Sequence, residues 1–194
     1  MRAALVVLGV ILIGGCGSSP PVRFYVLDAV VPGHVRSMRV SAPVKVDAVH
    51  VPATLDRNQM VRGESDNELR LSSEDRWAAN FGDMARRVLT QDLQSRLPPG
   101  AVIAPDSPAP VNARGIVVDI LSFQPDASGK LVLVADWTLL QGSPPAPLLQ
   151  RSFRRSVPAG ISAAAQAGAM SQLLGRLADE ISGQVARLSA AHGH

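Results

Sequence analysis

The chain has little of the chemistry that disulfides and metal sites require. Its 194 residues include one cysteine, so no intramolecular disulfide can form. Of its four histidines, two lie in the last three residues, and no His-x-x-x-His or paired-cysteine spacing typical of zinc is present. With 46% apolar residues, the sequence predicts a folded domain that depends on its hydrophobic core, without a metal or a cofactor.

The chain also lacks the local motifs of common catalytic and nucleotide-binding sites. It has no Gly-x-Ser-x-Gly elbow and no phosphate-binding loop ending in Gly-Lys-Ser or Gly-Lys-Thr. The 19 basic and 16 acidic side chains give a formal net charge of only +3, so nucleic acid is not an expected partner. We therefore expect no enzyme activity. A hydrolase stays an alternative, because two carboxylates distant in the sequence could meet in the fold.

The single cysteine, Cys16, is the most informative residue. It follows Arg2, an apolar run from Ala3 to Ile13, and the pair Gly14-Gly15, which together have the pattern of a secretory signal. An aliphatic-small-small-Cys ending resembles a bacterial lipobox. That resemblance implies a signal peptide over residues 1–15, cleavage before Cys16, and covalent lipid on this cysteine as the only attached group. Residues 16–22, rich in serine and proline, would form the lipidated tether.

Two other interpretations of the N-terminus are weaker. A transmembrane helix needs about 20 apolar residues, and this run is shorter. A buried structural cysteine does not explain the small polar residues that follow Cys16 at once. No later apolar run is long enough to span a membrane.

Alternating apolar residues predict a series of strands in the body of the chain. A first strand is expected at Arg23 to Val31. A second is expected around Pro43, whose missing N–H suggests an edge or a bulge. The further predicted strands are a hairpin of Gln59 to Arg62 with Glu68 to Leu71, a short strand at Ala101 to Ala104, a central strand at Ala113 to Phe123 with apolar groups on both faces, and strands at Leu131 to Leu140 and Leu148 to Arg155.

Two segments have helical spacing. Ser72 or Ser73 is expected to cap the first helix and Ser162 the second. The sequence thus predicts one layered α/β domain over residues 23–190, with a mixed β-sheet, two main helices and a flexible tail at 191–194. The apolar stripes are Trp77, Phe81, Met84, Val88, Leu89, Leu93 and Leu97 in the first helix, and Leu173, Leu174, Leu177, Ile181, Val185 and Leu188 in the second.

Several segments in order resemble the ABC-type transport auxiliary lipoproteins. These are Arg23-Phe24-Tyr25-Val26-Leu27, the segment from Val51 to Val61, Asn67-Glu68-Leu69, and Arg76-Trp77-Ala78. The match departs from the family pattern at Asn58, where a proline is usual, and at Asn80-Phe81, where Pro-Leu is common. The strands and the final helix beyond Leu97 fit in pattern only.

The resemblance implies an accessory role without catalysis. Members of this family resemble partners of transport systems with MCE (mammalian cell entry) domain proteins, which move lipids or other apolar molecules across the envelope of diderm bacteria. The ABC permease and ATPase would be separate chains. The expected location is the periplasm-facing leaflet of the outer membrane, held by the lipid anchor. A structural lipoprotein of outer-membrane assembly is the main alternative, and a homo-oligomer is left open.

The segment Leu55-Asp56-Arg57-Asn58-Gln59 is the best candidate for a partner contact. It combines an apolar anchor with charged and amide groups on a loop, and loops on rigid scaffolds often carry binding residues. The alternative, weighed equally, is that Asp56 and Arg57 only hold the loop to the domain. Three arginines, Arg151, Arg154 and Arg155, could face anionic lipid headgroups, but such charges more often protect a sheet edge.

Overall fold

Eight strands and two helices form the part of the chain that the computed structural model describes, residues 20–32, 39–65, 68–126 and 128–191. This confirms the predicted α/β class with two main helices. Cys16, the signal peptide and residues 192–194 of the tail lie outside the described residues, and the predicted domain boundaries stay predictions. The elements are β1 (Arg23–Tyr25), β2 (Val44–His50), β3 (Gln59–Ser65), β4 (Glu68–Trp77), α1 (Phe81–Gln94), β5 (Val102–Ile103), β6 (Arg114–Pro125), β7 (Lys130–Gln141), β8 (Ala146–Pro158) and α2 (Ala163–Ala191).

The larger sheet has five strands in the order β5-β2-β6-β7-β8. Strand β2 runs parallel to β5 and β6, and β6, β7 and β8 form an antiparallel meander. The central position predicted for β6 is confirmed. Its Ile116, Val118 and Ile120 are buried on one face, but Leu121 is 56% exposed. Leu121 lies at the register shift between Ile120 and Ser122 in the pairing with β7.

The two helices pack against each other and against this sheet, and their apolar stripes form the core with it. All predicted core positions of α1 from Phe81 to Leu93 are buried, as are those of α2 from Leu173 to Val185. The Ser162 hydroxyl accepts a hydrogen bond from the Ala165 N–H at 3.1 Å, which confirms the predicted cap of α2. Trp137 of β7 is fully buried and its Nε1–H donates to Glu180 Oε1 of α2 at 3.3 Å.

A second sheet of three strands, in the order β1-β4-β3, was not predicted. The predicted hairpin is confirmed as β3 and β4, but β4 continues to Trp77. The expected helix start at Ser72 or Ser73 is therefore wrong, and Asn80 caps α1 instead. Strand β1 is also shorter than predicted, because only Arg23–Tyr25 find partners in the parallel pairing with β4.

Asp75 holds β1 to β4 through its buried carboxylate. Arg23 Nε donates to Asp75 Oδ1 at 3.0 Å, Tyr25 Oη–H at 3.2 Å, and the Ser72 hydroxyl donates to Asp75 Oδ2 at 2.9 Å. Burial acts to raise the pKa of Asp75, but the hydrogen bonds from Ser72 and Tyr25 and the charge of Arg23 together lower it. The ionised carboxylate is thus favoured in the fold.

The segment that follows β1, residues 26–32, is a strap tied to both helices. Its Leu27 is buried, and the Asp28 N–H donates to Ser171 Oγ of α2 at 3.1 Å. The Val30 N–H donates to Asp92 Oδ1 of α1 at 2.7 Å, and the Val30 carbonyl accepts from Arg96 Nη1 at 3.0 Å. These contacts fix the chain directly behind its N-terminal tether to the helical layer.

The buried carboxyl of Asp92 makes the stability of the fold depend on pH. Its side chain is fully buried, and burial raises its pKa to about 6, against the opposing effects of the Val30 N–H and Arg96. The folded-state pKa lies above the unfolded value of about 3.9, so the native protein binds the proton more tightly. The stability that this group contributes is present below about pH 4 and is lost as the pH rises through about 6.

We expect Asp92→Asn to remove this pH dependence. Between about pH 4.5 and about pH 7, the stability of the Asn variant relative to the parent should rise by roughly 2 kcal/mol, because an amide cannot ionise in the buried site. Urea unfolding at the two pH values measures the change. Asp28→Asn, at an exposed position of the same strap, is the matched control. Equal pH dependence of the parent and the Asp92→Asn protein would contradict the prediction.

Candidate partner-binding site

The predicted contact segment forms a tight turn between β2 and β3. The N–H groups of Leu55 and Asp56 both donate to the Pro52 carbonyl, at 2.8 and 3.0 Å. At the far end, the Asn58 carbonyl accepts from the Trp77 N–H at 2.7 Å. The Leu55 side chain is only 6% exposed, so it anchors the turn in the core. The turn is thus held at both ends and at its apolar centre.

Asp56 links this turn to the start of α1. Its Oδ1 accepts a hydrogen bond from Asn80 Nδ2, while Asn80 Oδ1 accepts from the Asp83 N–H at 3.1 Å. The same asparagine therefore caps the helix and holds the turn, which a proline in its place could not do.

Arg57 is only partly available to a partner. Its Nη2 donates to the Ala53 carbonyl of its own turn at 3.5 Å, and its Nε is shielded from solvent without a hydrogen-bond partner. Of the five predicted contact residues, the structure exposes Asp56 and Asn58, half-buries Arg57 and Gln59, and buries Leu55. Asp56 thus holds the turn to the start of α1 through Asn80. It is also exposed, so it is accessible to a partner.

Asp56 also forms one wall of a surface groove of about 550 Å³. The opposite walls come from the end of β2 and the first turn of α1, which approach closely at Gly82. A Cβ at Gly82 would lie 3.3 Å from the Val49 carbonyl oxygen, so a glycine suits this crossing. The lining residues are Asp47, Ala48, Val49, His50, Val51, Asp56, Asn80, Gly82, Asp83 and Arg86.

Carboxylates dominate the charge of this groove. Asp47, Asp56 and Asp83 are all exposed along it. The one arginine in the lining, Arg86, is engaged with Asp106 outside the groove at 3.2 Å. His50 lies at the rim, and its Nδ1 is 2.7 Å from Asp119 Oδ1 of the adjacent strand β6. The groove is therefore acid-lined and offers hydrogen-bond acceptors to a cationic group.

Sequence reasoning missed most of this groove. Asp47 and His50 come from β2 and Asp83 from α1, and no local motif joins them. Strand pairing places His50 opposite Asp119. In the described parts of the chain, no cluster of three His, Cys, Asp or Glu side chains is arranged to hold a metal ion.

The arginines of the last strand lie apart from this groove. Strand β8 is an edge strand of the five-stranded sheet, and Arg151, Arg154 and Arg155 are exposed on it. Arg155 lies over the Phe153 ring at 5.5 Å. Exposed charges of this kind hinder pairing of the open edge with another chain.

The fold of this chain is a class of α/β domain shared with proteins of known structure. A Xanthomonas campestris protein of the DUF330 family superposes with a TM-score of 0.69 at 18% identity, covering 88% of this chain and 98% of that one. The crystal structure of an uncharacterized protein superposes with a TM-score of 0.64 at 20% identity, covering 87% and 98%. At these identities the likeness shows the shared fold.

The sequence itself identifies the family. The model of the ABC-type transport auxiliary lipoprotein component matches residues 25–182, and the chain belongs to this family. The predicted resemblance is confirmed, including the strands and the final helix beyond Leu97. No curated protein sequence matches the chain. Within the described residues, no helix is long and apolar enough to cross a membrane.

Proposed function

We propose that this protein is a lipid-anchored, non-catalytic auxiliary component of an ABC/MCE-type transport system. The system would move lipids or other apolar molecules between the inner and outer membranes and so support membrane integrity. The family match over residues 25–182 carries this proposal, and the lipobox ending in Cys16 supports it. The anchor would hold the domain on the periplasmic face of the outer membrane.

The acid-lined groove is the proposed contact with the transport machinery. Its carboxylates at Asp47, Asp56 and Asp83 complement a basic segment of a partner, and the MCE-domain protein is the candidate. Complementary charges across an interface speed association and select among partners. The turn that presents Asp56 is fixed by main-chain hydrogen bonds, so little order would have to be gained on binding.

Replacing Asp56 by lysine is expected to weaken this association roughly tenfold or more. The change reverses a charge in the groove and sets like charges together if the partner is basic. Folding should be little affected, because Asp56 is exposed, although its bond to Asn80 would be lost. Co-purification of the MCE-domain protein from detergent-solubilised envelope measures the effect.

The control is Asp28→Lys, an equal charge reversal on the strap. Parent-like recovery of the partner with Asp28→Lys and reduced recovery with Asp56→Lys would support the groove. Undiminished recovery with both would exclude it as the contact. If the parent protein itself recovers no MCE-domain, permease or ATPase chain, the transport role fails, and a structural outer-membrane lipoprotein becomes the better account.

A further inference from the structure

A stripe of exposed apolar side chains lies at and around β1, near the N-terminal end of the described residues. Val22, Phe24 and Val26 are 44%, 66% and 52% exposed. They alternate with Tyr25, which is half-buried, and Leu27, which is buried. This is the period of an extended chain with one face toward the protein and the other away from it. Three apolar side chains thus form one outward row along β1.

Nothing in the described residues covers this row. Strand β1 is an edge of the three-stranded sheet and pairs only with β4 there. The charged groups beside it are paired with each other. Arg23 lies 2.9 Å from Asp75 Oδ1 and 3.5 Å from Glu74 Oε2. The row is therefore an apolar surface beside a paired arginine, and the exposed Asp28 lies two residues beyond its end.

The distance of the row from the proposed lipid anchor indicates which partner covers the row. Val22 lies six positions after Cys16 in the sequence, and Phe24 lies eight positions after it. An extended chain covers at most about 3.5 Å per residue, which limits these distances to about 21 and 28 Å. A domain of this size has a radius of gyration of about 15 Å, so it is roughly 40 Å across. The tether is too short to place β1 on the far side of the domain from the membrane.

We propose that Val22, Phe24 and Val26 are a membrane-contact stripe that lies in the interface of the bilayer in which the Cys16 lipid is inserted. The inference rests on the lipid anchor of the proposed function. Apolar and aromatic side chains at the membrane surface enter the boundary of headgroups and acyl chains, while the paired charges around them stay in water. The stripe would hold the domain in one orientation, with the strap and both helices following directly behind the contact.

Contact with lipid can be measured with a tryptophan at the stripe. The full-length acylated Phe24→Trp protein is reconstituted in vesicles of phosphatidylethanolamine and phosphatidylglycerol, with and without brominated acyl chains. The two native tryptophans, Trp77 and Trp137, are buried and give a constant background. The control is Val111→Trp on the loop before β6, where the side chain is 90% exposed. Mass spectrometry of the same samples establishes whether Cys16 is acylated.

The expected result is a blue shift and a loss of the added fluorescence with brominated lipid for Phe24→Trp, and neither for Val111→Trp. Acylated protein whose added tryptophan at the stripe is not quenched would overturn the inference and leave the proposed function intact. A blue shift that depends on protein concentration and not on bromine would also overturn it, because a second copy would then cover the stripe. Unmodified Cys16 would overturn the inference together with the anchor.

Discussion

Replacing Trp77 by alanine should lower the free energy of unfolding by about 3–5 kcal/mol, as a large-to-small change in a core does. The Trp77 side chain is only 5% exposed. Its ring lies 5.1 Å from that of Phe81 at the start of α1, and Phe81 meets Phe123 of β6 edge-on at 6.0 Å. The three rings join the small sheet, the first helix and the large sheet, so the cavity would open where these layers meet.

Urea unfolding of the purified domain tests this expectation. A loss of this size would remove much of the usual stability of about 5–15 kcal/mol. The matched control is Phe24→Ala, since Phe24 is an aromatic of the adjacent strand with a 66% exposed side chain, and it should change stability by about 0.5 kcal/mol or less. An unchanged unfolding midpoint and slope for Trp77→Ala would contradict the assigned packing.

Replacing Cys16 by alanine should release the protein from the membrane fraction or leave uncut precursor. Two or more acyl chains hold a protein stably on a membrane, whereas a single chain binds only marginally. Without Cys16 no lipid can be attached, and the stripe of three apolar side chains is too small to replace it. Fractionation of a diderm host, followed by mass spectrometry of the purified protein, measures both the location and the modification.

Ser18→Ala, two residues along the tether, is the control and should leave the protein membrane-bound and acylated. The parent protein is the decisive sample. If Cys16 is unmodified in parent protein made in a diderm host, the lipobox interpretation is wrong, and the proposed anchoring falls with it.

The start of the first helix shows why local patterns misled. Ser72 and Asp75 have the spacing of a helix cap, and the Ser72 hydroxyl does accept a hydrogen bond from the Asp75 N–H at 2.9 Å. Yet Asp75, Arg76 and Trp77 pair with Arg23–Tyr25, about 50 residues earlier in the chain. A cap-like hydrogen bond occurs in both settings, and only the distant partner strand decides between them. Trp77 was correctly predicted to lie in the core, but it belongs to β4 and not to the first helix.

The hydrogen bonds of the strap could not be predicted from the sequence, for a related reason. Val30 was assigned to the first strand because aliphatic residues favour extension, but β1 ends at Tyr25. The N–H and carbonyl of Val30 instead bond to Asp92 of α1 and to Arg96, two residues beyond the end of that helix, rather than to a neighbouring strand. No periodicity in either segment predicts hydrogen bonds between main-chain groups of the strap and buried charged side chains. The raised pKa of Asp92 follows from that burial and could not be predicted from the sequence either.

The sequence by itself determined the features that depend on neighbours along the chain. These are the hairpin of β3 and β4, the apolar faces of both helices and the family motifs around Leu55, and the lipobox-like pattern at Cys16 stays a prediction. The tertiary structure decided what depends on distant residues, namely the separate small sheet, the strap, and the groove where Asp56, Asp47 and Asp83 meet. The physical reason is that side-chain periodicity and capping are encoded over a few residues, whereas a site is made by strands and helices that the packing of the core brings together.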